Sequence, residues 1–356
     1  MNISRIYISN FRNYTDQIFE FSPLGALLIG PNGSGKTNLL EAIAYNSIGR
    51  SFRYQSDELL TTFQAKGFAL NLEFKMRWGD YQIVANFQNG KKRLSINQQP
   101  IHHLSQLFEY LKVIYCAPED INLINGNPRK RRQYFDLAIA QLTPAYIQLL
   151  KNYNHIVEQR NTLLKEHNNS KQKKHWDELF VKAALPVIAA RIDYLHKLLT
   201  KIHSLYDSTL PEAARIEINY KATLNVEDNI AGSKSYKNEL DRVAAREWQY
   251  QRTLLGPHLD DYDFMLNPYL LKNTGSQGQK RTIILLVKIA HLELLKESIG
   301  EYPILLLDDI FAELDSLHTQ RFMQILKNHE QVFVASPNLH TSDYWPELPI
   351  IQIGLD

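Results

Sequence analysis

The chain is short of cysteine, of long apolar runs and of net charge, and each shortage removes a class of function. Its single cysteine, Cys116, cannot form an intramolecular disulfide and has no cluster of metal-ligating residues beside it, which excludes a disulfide scaffold, a zinc site and thiol redox chemistry. A buried, inert thiol is the expected role. No apolar stretch approaches the roughly 18 residues that span a bilayer, and MNISRIYISNF at the amino terminus lacks the basic, apolar and small-residue zones of a secretion signal. A cytoplasmic protein with no membrane partner is expected. There is no internal repeat. What is present is 356 residues of ordinary composition, 44% hydrophobic and 22% charged, enough for two domains or for one large domain carrying an insertion.

A net charge of only +2 conceals an uneven distribution. Between Ile121 and Lys174 ten basic residues (Arg129, Lys130, Arg131, Arg132, Lys151, Arg160, Lys165, Lys171, Lys173, Lys174) face three acidic ones (Asp136, Glu158, Glu166). Two readings fit this asymmetry: the solvated faces of lysine-rich helices, or a surface for a polyanion. On the second, Arg129 to Arg132 with Lys171, Lys173 and Lys174 are the candidate phosphate contacts.

The most specific motif is GPNGSGKT, Gly30-Pro31-Asn32-Gly33-Ser34-Gly35-Lys36-Thr37, which fits the phosphate-loop pattern at every fixed position. Its context fits too. Gly25 to Ile29 is a short apolar strand leading into the glycines, and Asn38 to Ile43 continues as a helix former, so backbone N–H groups and a helix amino terminus converge on one point. A second apolar strand, Pro303 to Leu307, ends in Asp308-Asp309. A carboxylate at the carboxyl end of such a strand, beside a phosphate loop, is where a magnesium-organising aspartate belongs. Alone, the pair could simply open a surface turn. Together the two motifs assign Lys36 to the β- and γ-phosphates of ATP, Thr37 and Asp308 to Mg²⁺, and Asp309 to the attacking water.

The rest of the chain organises around these motifs. Ile6 and Ile8 share one face of an early strand, and Phe68 to Ile96 reads as antiparallel strands with Asn89-Gly90 as a hairpin turn. Lys91-Lys92-Arg93 follow that turn on an edge, either to blunt aggregation or to touch phosphate. Past Pro128 the chain turns helical. Tyr146, Leu149, Tyr153, Ile156, Arg160 and Leu163 form a heptad seam, the polar stretch Glu166 to His175 interrupts it, and Leu195, Leu198, Ile202 and Leu205 resume a stripe. Two helices joined at a polar tip are expected, too short for a long coiled-coil arm. Tyr206 to Asn238 is uninformative. Gln331 to Ala335 reads as a further buried strand. The predicted fold is α/β: a mixed-sheet ATPase head over 1–120 and 245–356, with a helical second lobe over 121–244 inserted into it.

Two stretches narrow the class. Gly275-Ser276-Gln277-Gly278-Gln279 resembles the signature sequence of ABC-type ATPases, and Ala312-Glu313-Leu314-Asp315 resembles their D-loop, in that family's order. Ser276 is equally a plain helix cap. The ABC resemblance implies that Ser276, Gly278 and Gln279 cover the nucleotide of a second copy, in a head-to-tail dimer joined by ATP.

Asn10-Phe11-Arg12-Asn13-Tyr14, GPNGSGKTNLLEAI, Gly49-Arg50-Ser51-Phe52-Arg53, Pro118-Glu119-Asp120, PRKRRQYFD from Pro128, Leu255-Gly256-Pro257-His258, SQGQKR and LLLDDIFAELD together resemble the RecF family, gap-repair ATPases related to SMC proteins. The matches span almost the whole chain. The resemblance implies an ABC-type P-loop head with a helical lobe, ATP-driven dimerisation on gapped DNA, weak ATP hydrolysis, and cooperation with RecR and RecO in loading recombinase during gap repair and replication restart. There are departures. Leu259 stands where the family carries arginine, the strand ending at Ser336 lacks a γ-phosphate-sensing histidine, with His340 nearby, and no Q-loop glutamine is identifiable. Asp309 replaces the glutamate common in ABC ATPases, which fits slow turnover. Arg12, Arg50 and Arg53 match family motifs, with core carboxylates, nucleotide or DNA all open as partners.

Overall fold

The computed structural model describes residues 1–53, 56–166, 170–209, 215–224, 234–310, 319, 322, 326 and 330–354. The chain opens with β1 (Asn2–Phe11), β2 (Tyr14–Glu20) and β3 (Gly25–Ile29), then α1 (Lys36–Ile48), β4 (Gly67–Met76), β5 (Gly79–Gln88), β6 (Lys91–Ile96), β7 (Gln99–Pro100), α2 (Leu107–Tyr110) and β8 (Val113–Cys116). The helices α3 (Asn122–Asn125), α4 (Pro128–Leu142), α5 (Tyr146–Glu166) and α6 (Ser170–Thr209) follow, then β9 (Ile216–Lys221), α7 (Lys234–Tyr250), β10 (Asp261–Leu266), β11 (Tyr269–Leu270), α8 (Leu271–Thr274) and α9 (Gln277–Ile299). The chain closes with β12 (Ile304–Asp308), β13 (Val332–Ser336) and β14 (Ile350–Gln352). It divides into two compact units, Met1–Asp120 with Arg281–Asp356, and Ile121–Lys280.

The first unit holds two sheets. Strand alternation builds one of them: along β4 and β5, Phe68, Leu70, Leu72, Ile83, Ala85 and Phe87 turn inward while their neighbours face solvent. This antiparallel sheet has the order β2-β1-β4-β5-β6-β7. Asn89 and Gly90 both adopt positive φ (48° and 74°), the conformation a tight hairpin turn demands. The second sheet, β14-β3-β13-β12-β8, is parallel throughout, and its strands β3, β12 and β13 are buried along their whole length, as continuous apolar runs require. Between the sheets lies one core containing Ile6, Phe11, Leu40, Ile43, Leu70, Leu306 and Phe333, to which α1 contributes. Cys116, at the end of β8, is buried, and burial pushes its thiol up to about 12, so it stays protonated at neutral pH.

The second unit is not purely helical. Its residues β9, β10 and β11 form a small antiparallel sheet. Phe135 of α4 stacks on Tyr262 of β10 at 4.0 Å between ring centroids. Residues 245–280, expected in the head, cluster here instead, because the ladder from β9 to β10 ties that stretch to the segment expected to be helical. Asn127 caps α4 by accepting the Lys130 N–H at 3.0 Å, with Pro128 in the first turn. The expected helix pair is α5 and α6. Tyr146, Tyr153, Ile156 and Leu163 are buried as the seam predicts, but Leu149 is 38% exposed. Arg160, also on the seam, is fully buried because its guanidinium bonds Glu247 at 2.8 Å and Asp177 at 2.8 Å.

Candidate functional site

The parallel sheet sets the site. Its register places Asp308 beside Ala335, Ala335 beside Leu28, and Ser336 beside Ile29, so the carboxyl ends of β12, β13 and β3 form one edge. The loop Gly30 to Gly35 leaves that edge and feeds α1. Lys36 Nζ donates to the carbonyls of Gly30 and Pro31 at 2.7 and 2.8 Å, which holds the ammonium within the loop. Burial lowers the Lys36 pKa, and the Asp308 and Asp309 carboxylates across the loop oppose that shift.

The turn between β1 and β2 braces this loop from behind. Asn13 Nδ2 donates to Ser34 O at 3.0 Å, Tyr14 OH donates to Gly35 O at 3.0 Å, and Asn38 Nδ2 donates to Asn13 Oδ1 at 2.8 Å. Gly35 has φ 113°, and a Cβ there would stand 2.5 Å from Asn13 Nδ2, so both its conformation and its close approach need glycine. One residue earlier in the turn, Arg12 donates from Nε to Glu41 at 2.9 Å, and Ser51 donates to the same carboxylate at 2.5 Å. Glu41 is fully buried in α1. Arg12 and Ser51 therefore anchor the helix that carries Lys36 and Thr37. The core carboxylate is the partner of Arg12; Arg50 and Arg53 are exposed, and Arg53 donates its backbone N–H to Ser51 Oγ at 2.9 Å.

Asp308 receives two hydroxyls. Thr37 Oγ1 donates to its Oδ1 at 3.1 Å and Tyr115 OH to its Oδ2 at 2.7 Å. Burial raises the Asp308 pKa above the ordinary value; the two hydrogen bonds oppose that rise, and Glu119 and Asp309 add to it. A buried carboxylate crowded by two others is relieved by a divalent cation. Thr37 and Asp308 therefore fit Mg²⁺, which takes few protein ligands and completes its shell with phosphate oxygens and water. When bound, the ion would neutralise phosphate charge. Asp309 has φ 50° and donates its N–H to Ala335 O at 3.0 Å.

Ser276 and Gln279 form a reciprocal cap at the start of α9. The Ser276 N–H donates to Gln279 Oε1 at 2.9 Å, and Gln279 N–H donates to Ser276 Oγ at 3.2 Å. In that arrangement the serine oxygen accepts and keeps its own proton to donate. Ser276, Gly278 and Gln279 are all exposed at the amino terminus of a 23-residue helix. Cap and anion donor are thus compatible in the same residues. The D-loop candidate Ala312 to Asp315 lies outside the described residues.

The basic candidates separate into two groups. Arg131 is buried and bonds Asp261 through Nε at 2.6 Å and Nη2 at 2.9 Å, while Lys173 is buried against Asp177 at 2.8 Å. Both are corrections to the expectation of a free charge, because each cation is already matched by a carboxylate inside its unit. Arg132 donates to Asp260 O at 2.7 Å and is half-buried. Arg129, Lys130 and Lys174 are exposed, and the side chain of Lys171 lies outside the described residues. Leu259 is 41% exposed. Ser336 shares a hydrogen bond with Thr341 at 2.7 Å, and the His340 ring is exposed.

Tyr115, Asn13 and Tyr14 are the site residues that sequence reasoning missed. Asn13 and Tyr14 stood in a quoted motif without a role; Tyr115 sits in a short buried strand and carried no local signal at all.

Residues 2–344 match the family model described as RecF/RecN/SMC N terminal domain. The chain is 33% identical over 354 residues to the DNA replication and repair protein RecF of Natranaerobius thermophilus, covering 95% of this chain and 92% of that protein. Against RecF of Clostridium botulinum (strain ATCC 19397 / Type A) it is 36% identical over 329 residues, 91% of this chain and 89% of the relative. A solved structure of the recombination mediator protein RecF with ATP, in the RecFOR pathway, superposes with a TM-score of 0.88 at 29% identity, covering 95% of this chain and 92% of that one. An SMC head bound to the C-terminal winged-helix domain of ScpA, at 14% identity and a TM-score of 0.54 over 97% of this chain and 92% of that chain, shares the fold. With its phosphate loop, its aspartate strand and a family match along nearly its whole length, this chain belongs to the RecF family of DNA replication and repair proteins, with the head fold of SMC-like ABC ATPases.

Proposed function

We propose that this chain is an ATP-dependent DNA-binding protein of recombinational gap repair and replication restart, using ATP as a dimerisation switch. The observation that carries the reading is the Thr37 to Asp308 hydrogen bond of 3.1 Å, which unites the phosphate loop and the aspartate strand in one site. Lys36 binds the β- and γ-phosphates, and Thr37 and Asp308 hold Mg²⁺. Asp309 orients or deprotonates the attacking water; its side chain is one methylene shorter than glutamate, which suits weak turnover. Gly30 to Thr37 form the cradle on one copy, and Ser276, Gly278 and Gln279 of a second copy close it. The exposed cations Arg129, Lys130 and Lys174, with Lys171 and the half-buried Arg132, offer phosphate contacts without base readout. RecO and RecR are the mediator partners, as the RecFOR pathway of the ATP-bound relative suggests. Among the described residues no helix is long and apolar enough to cross a membrane, and a cytoplasmic setting suits this role.

The experiment is sedimentation of Asp309→Asn protein with labelled gapped duplex, with and without ATP. A dimer that travels with the DNA only when ATP is present supports the reading. If ATP produces dimers while the DNA stays behind, the ABC mechanism survives and the DNA role falls. Full gap-repair activity in Asp309→Asn cells would make the site a latch whose hydrolysis is dispensable.

A further inference from the structure

The outer face of the six-stranded sheet carries a groove of about 800 Å³ that the nucleotide chemistry does not use. It lies where β4, β5 and β6 approach the Asn89-Gly90 turn. Its floor is low because Gly67 and Ala69 fill the outward positions of β4, and its walls are polar: Asn86 and Gln88 on β5, Lys91 and Arg93 on β6, and Lys66 at the foot of β4. All three cations are exposed, and among the described residues none of them is in an ion pair. Among the described residues no carboxylate lines the groove. The cross-strand row runs Asp16, Ser9, Ala69, Asn86, Arg93, so its one carboxylate is four strands from Arg93, about 19 Å at ordinary strand spacing. Lys91 and Arg93 project two residues apart on one face, about 7 Å along the strand, which is the scale of successive phosphates.

On the segment that leads into the groove, three residues before Lys66, stands Phe63, 89% exposed. Its place is held by Thr62, whose N–H donates to the carbonyl of Asn10 at 2.9 Å, and Asn10 itself lines the groove. An aromatic ring presented to solvent on the segment leading into a groove of exposed cations and carboxamides is a combination that can grip a nucleic-acid strand: the cations and amides donate to phosphate oxygens, and the ring stacks on a base of any identity.

We propose that this groove binds a single DNA strand, with its phosphates along Lys66, Lys91 and Arg93 and a base against Phe63. The inference rests on the DNA-binding reading above and locates a contact in the head unit, apart from the cations of α4 and α6. It gives a gap-binding protein a place for the unpaired strand.

The test is fluorescence anisotropy of the full-length protein with ATP and Mg²⁺, using a single-stranded oligonucleotide and a gapped duplex over a salt series. In the Lys66→Gln/Lys91→Gln/Arg93→Gln protein, single-strand affinity is expected to fall at least tenfold, and the slope of log affinity against log salt to shrink by about 2, since each lost phosphate contact removes about 0.7. Phe63→Ala is expected to weaken single-strand binding about tenfold and Phe63→Trp to restore it, while Lys75→Gln, at the far end of the same face, changes neither value. All are surface positions, and binding of a fluorescent ATP analogue reports that each variant keeps its nucleotide site. Unchanged affinity and slope in both the triple variant and Phe63→Ala, with wild-type protein still binding gapped duplex, overturn the groove and leave the DNA reading intact. Failure of wild-type protein to bind gapped duplex at all sinks the DNA reading and this inference with it.

Discussion

Tyr115 donates its phenolic proton to Asp308 Oδ2 at 2.7 Å, and on its other side its ring stacks on Phe52 at 3.8 Å. The tyrosine thus joins the Gly49 to Arg53 segment to the carboxylate assigned to Mg²⁺. With Thr37 bonded to the other oxygen, Asp308 is held at both ends. Tyr115→Phe keeps the stack and removes only the bond. A hydrogen bond to a charged group contributes roughly 1.5–3 kcal/mol, so ATP turnover is expected to fall about tenfold or more. Steady-state ATPase kinetics over a Mg²⁺ series check this, with thermal melting expected to stay within a few degrees of wild type.

Gly35→Ala is expected to abolish ATP binding while sparing the fold. The added methyl would meet Asn13 Nδ2 at 2.5 Å and Tyr14 OH at 2.9 Å, in a backbone conformation that L-residues avoid. Isothermal titration with ATP reads the loss. Asn13→Ala, which removes the brace and one side of the clash, is expected to weaken ATP binding less than Gly35→Ala does. Lys36→Met should remove nucleotide binding outright, together with every ATP-dependent property.

Glu247→Gln tests the interior of the second unit. Arg160 and Glu247 are both fully shielded from solvent and joined by two hydrogen bonds, and Thr253 adds a third to the guanidinium at 3.0 Å. Breaking such a pair leaves a buried, under-compensated charge, at a cost of about 3–5 kcal/mol. Urea unfolding followed by the exposure of aromatic fluorescence should show that loss, whereas Lys130→Gln, on an exposed face of α4, should leave the midpoint unchanged.

Acid should destabilise the protein well above the carboxylate range. Burial holds His258 down to about 4 and His291 down to about 3, against 6.5 in an unfolded chain. Between pH 6.5 and 4 the unfolded state therefore binds protons that the native state refuses, so unfolding free energy declines as pH falls through that window and is fully present above it. Each histidine contributes a slope of up to about 1.4 kcal/mol per pH unit. Urea midpoints measured from pH 7.5 to 4.5 check the trend, and His258→Gln should flatten it while losing the hydrogen bond to Tyr153.

The meeting of the two motifs was legible because each is local in sequence. Eight consecutive residues make a glycine-rich loop ahead of a helix, and an apolar strand ending in two aspartates carries its own direction, so the sequence put Thr37 and Asp308 side by side, where they are hydrogen-bonded. Asn89-Gly90 was equally readable, since two consecutive residues with positive φ demand those residue types. The misreadings concern partnerships and burial that the linear pattern does not show. Arg131 and Lys173 counted as free charge until Asp261 and Asp177 were seen to neutralise them, one of them 130 positions distant. The seam through Leu149 and Arg160 had the right period, but helical spacing does not reveal that the arginine enters the core and the leucine faces solvent.

The sequence by itself determined that this chain folds around a phosphate loop and an aspartate strand, and it carried the RecF resemblance along nearly its full length, because backbone conformation and local donor geometry are written in adjacent residues. Only the tertiary structure decided which charges remain available and which hold the core together, where Tyr115 meets Asp308, and that Lys66, Lys91 and Arg93 surround one groove. The physical reason is that ion pairing and burial are properties of distance in space, and β4, β5 and β6 bring together residues whose separation along the chain says nothing of that distance.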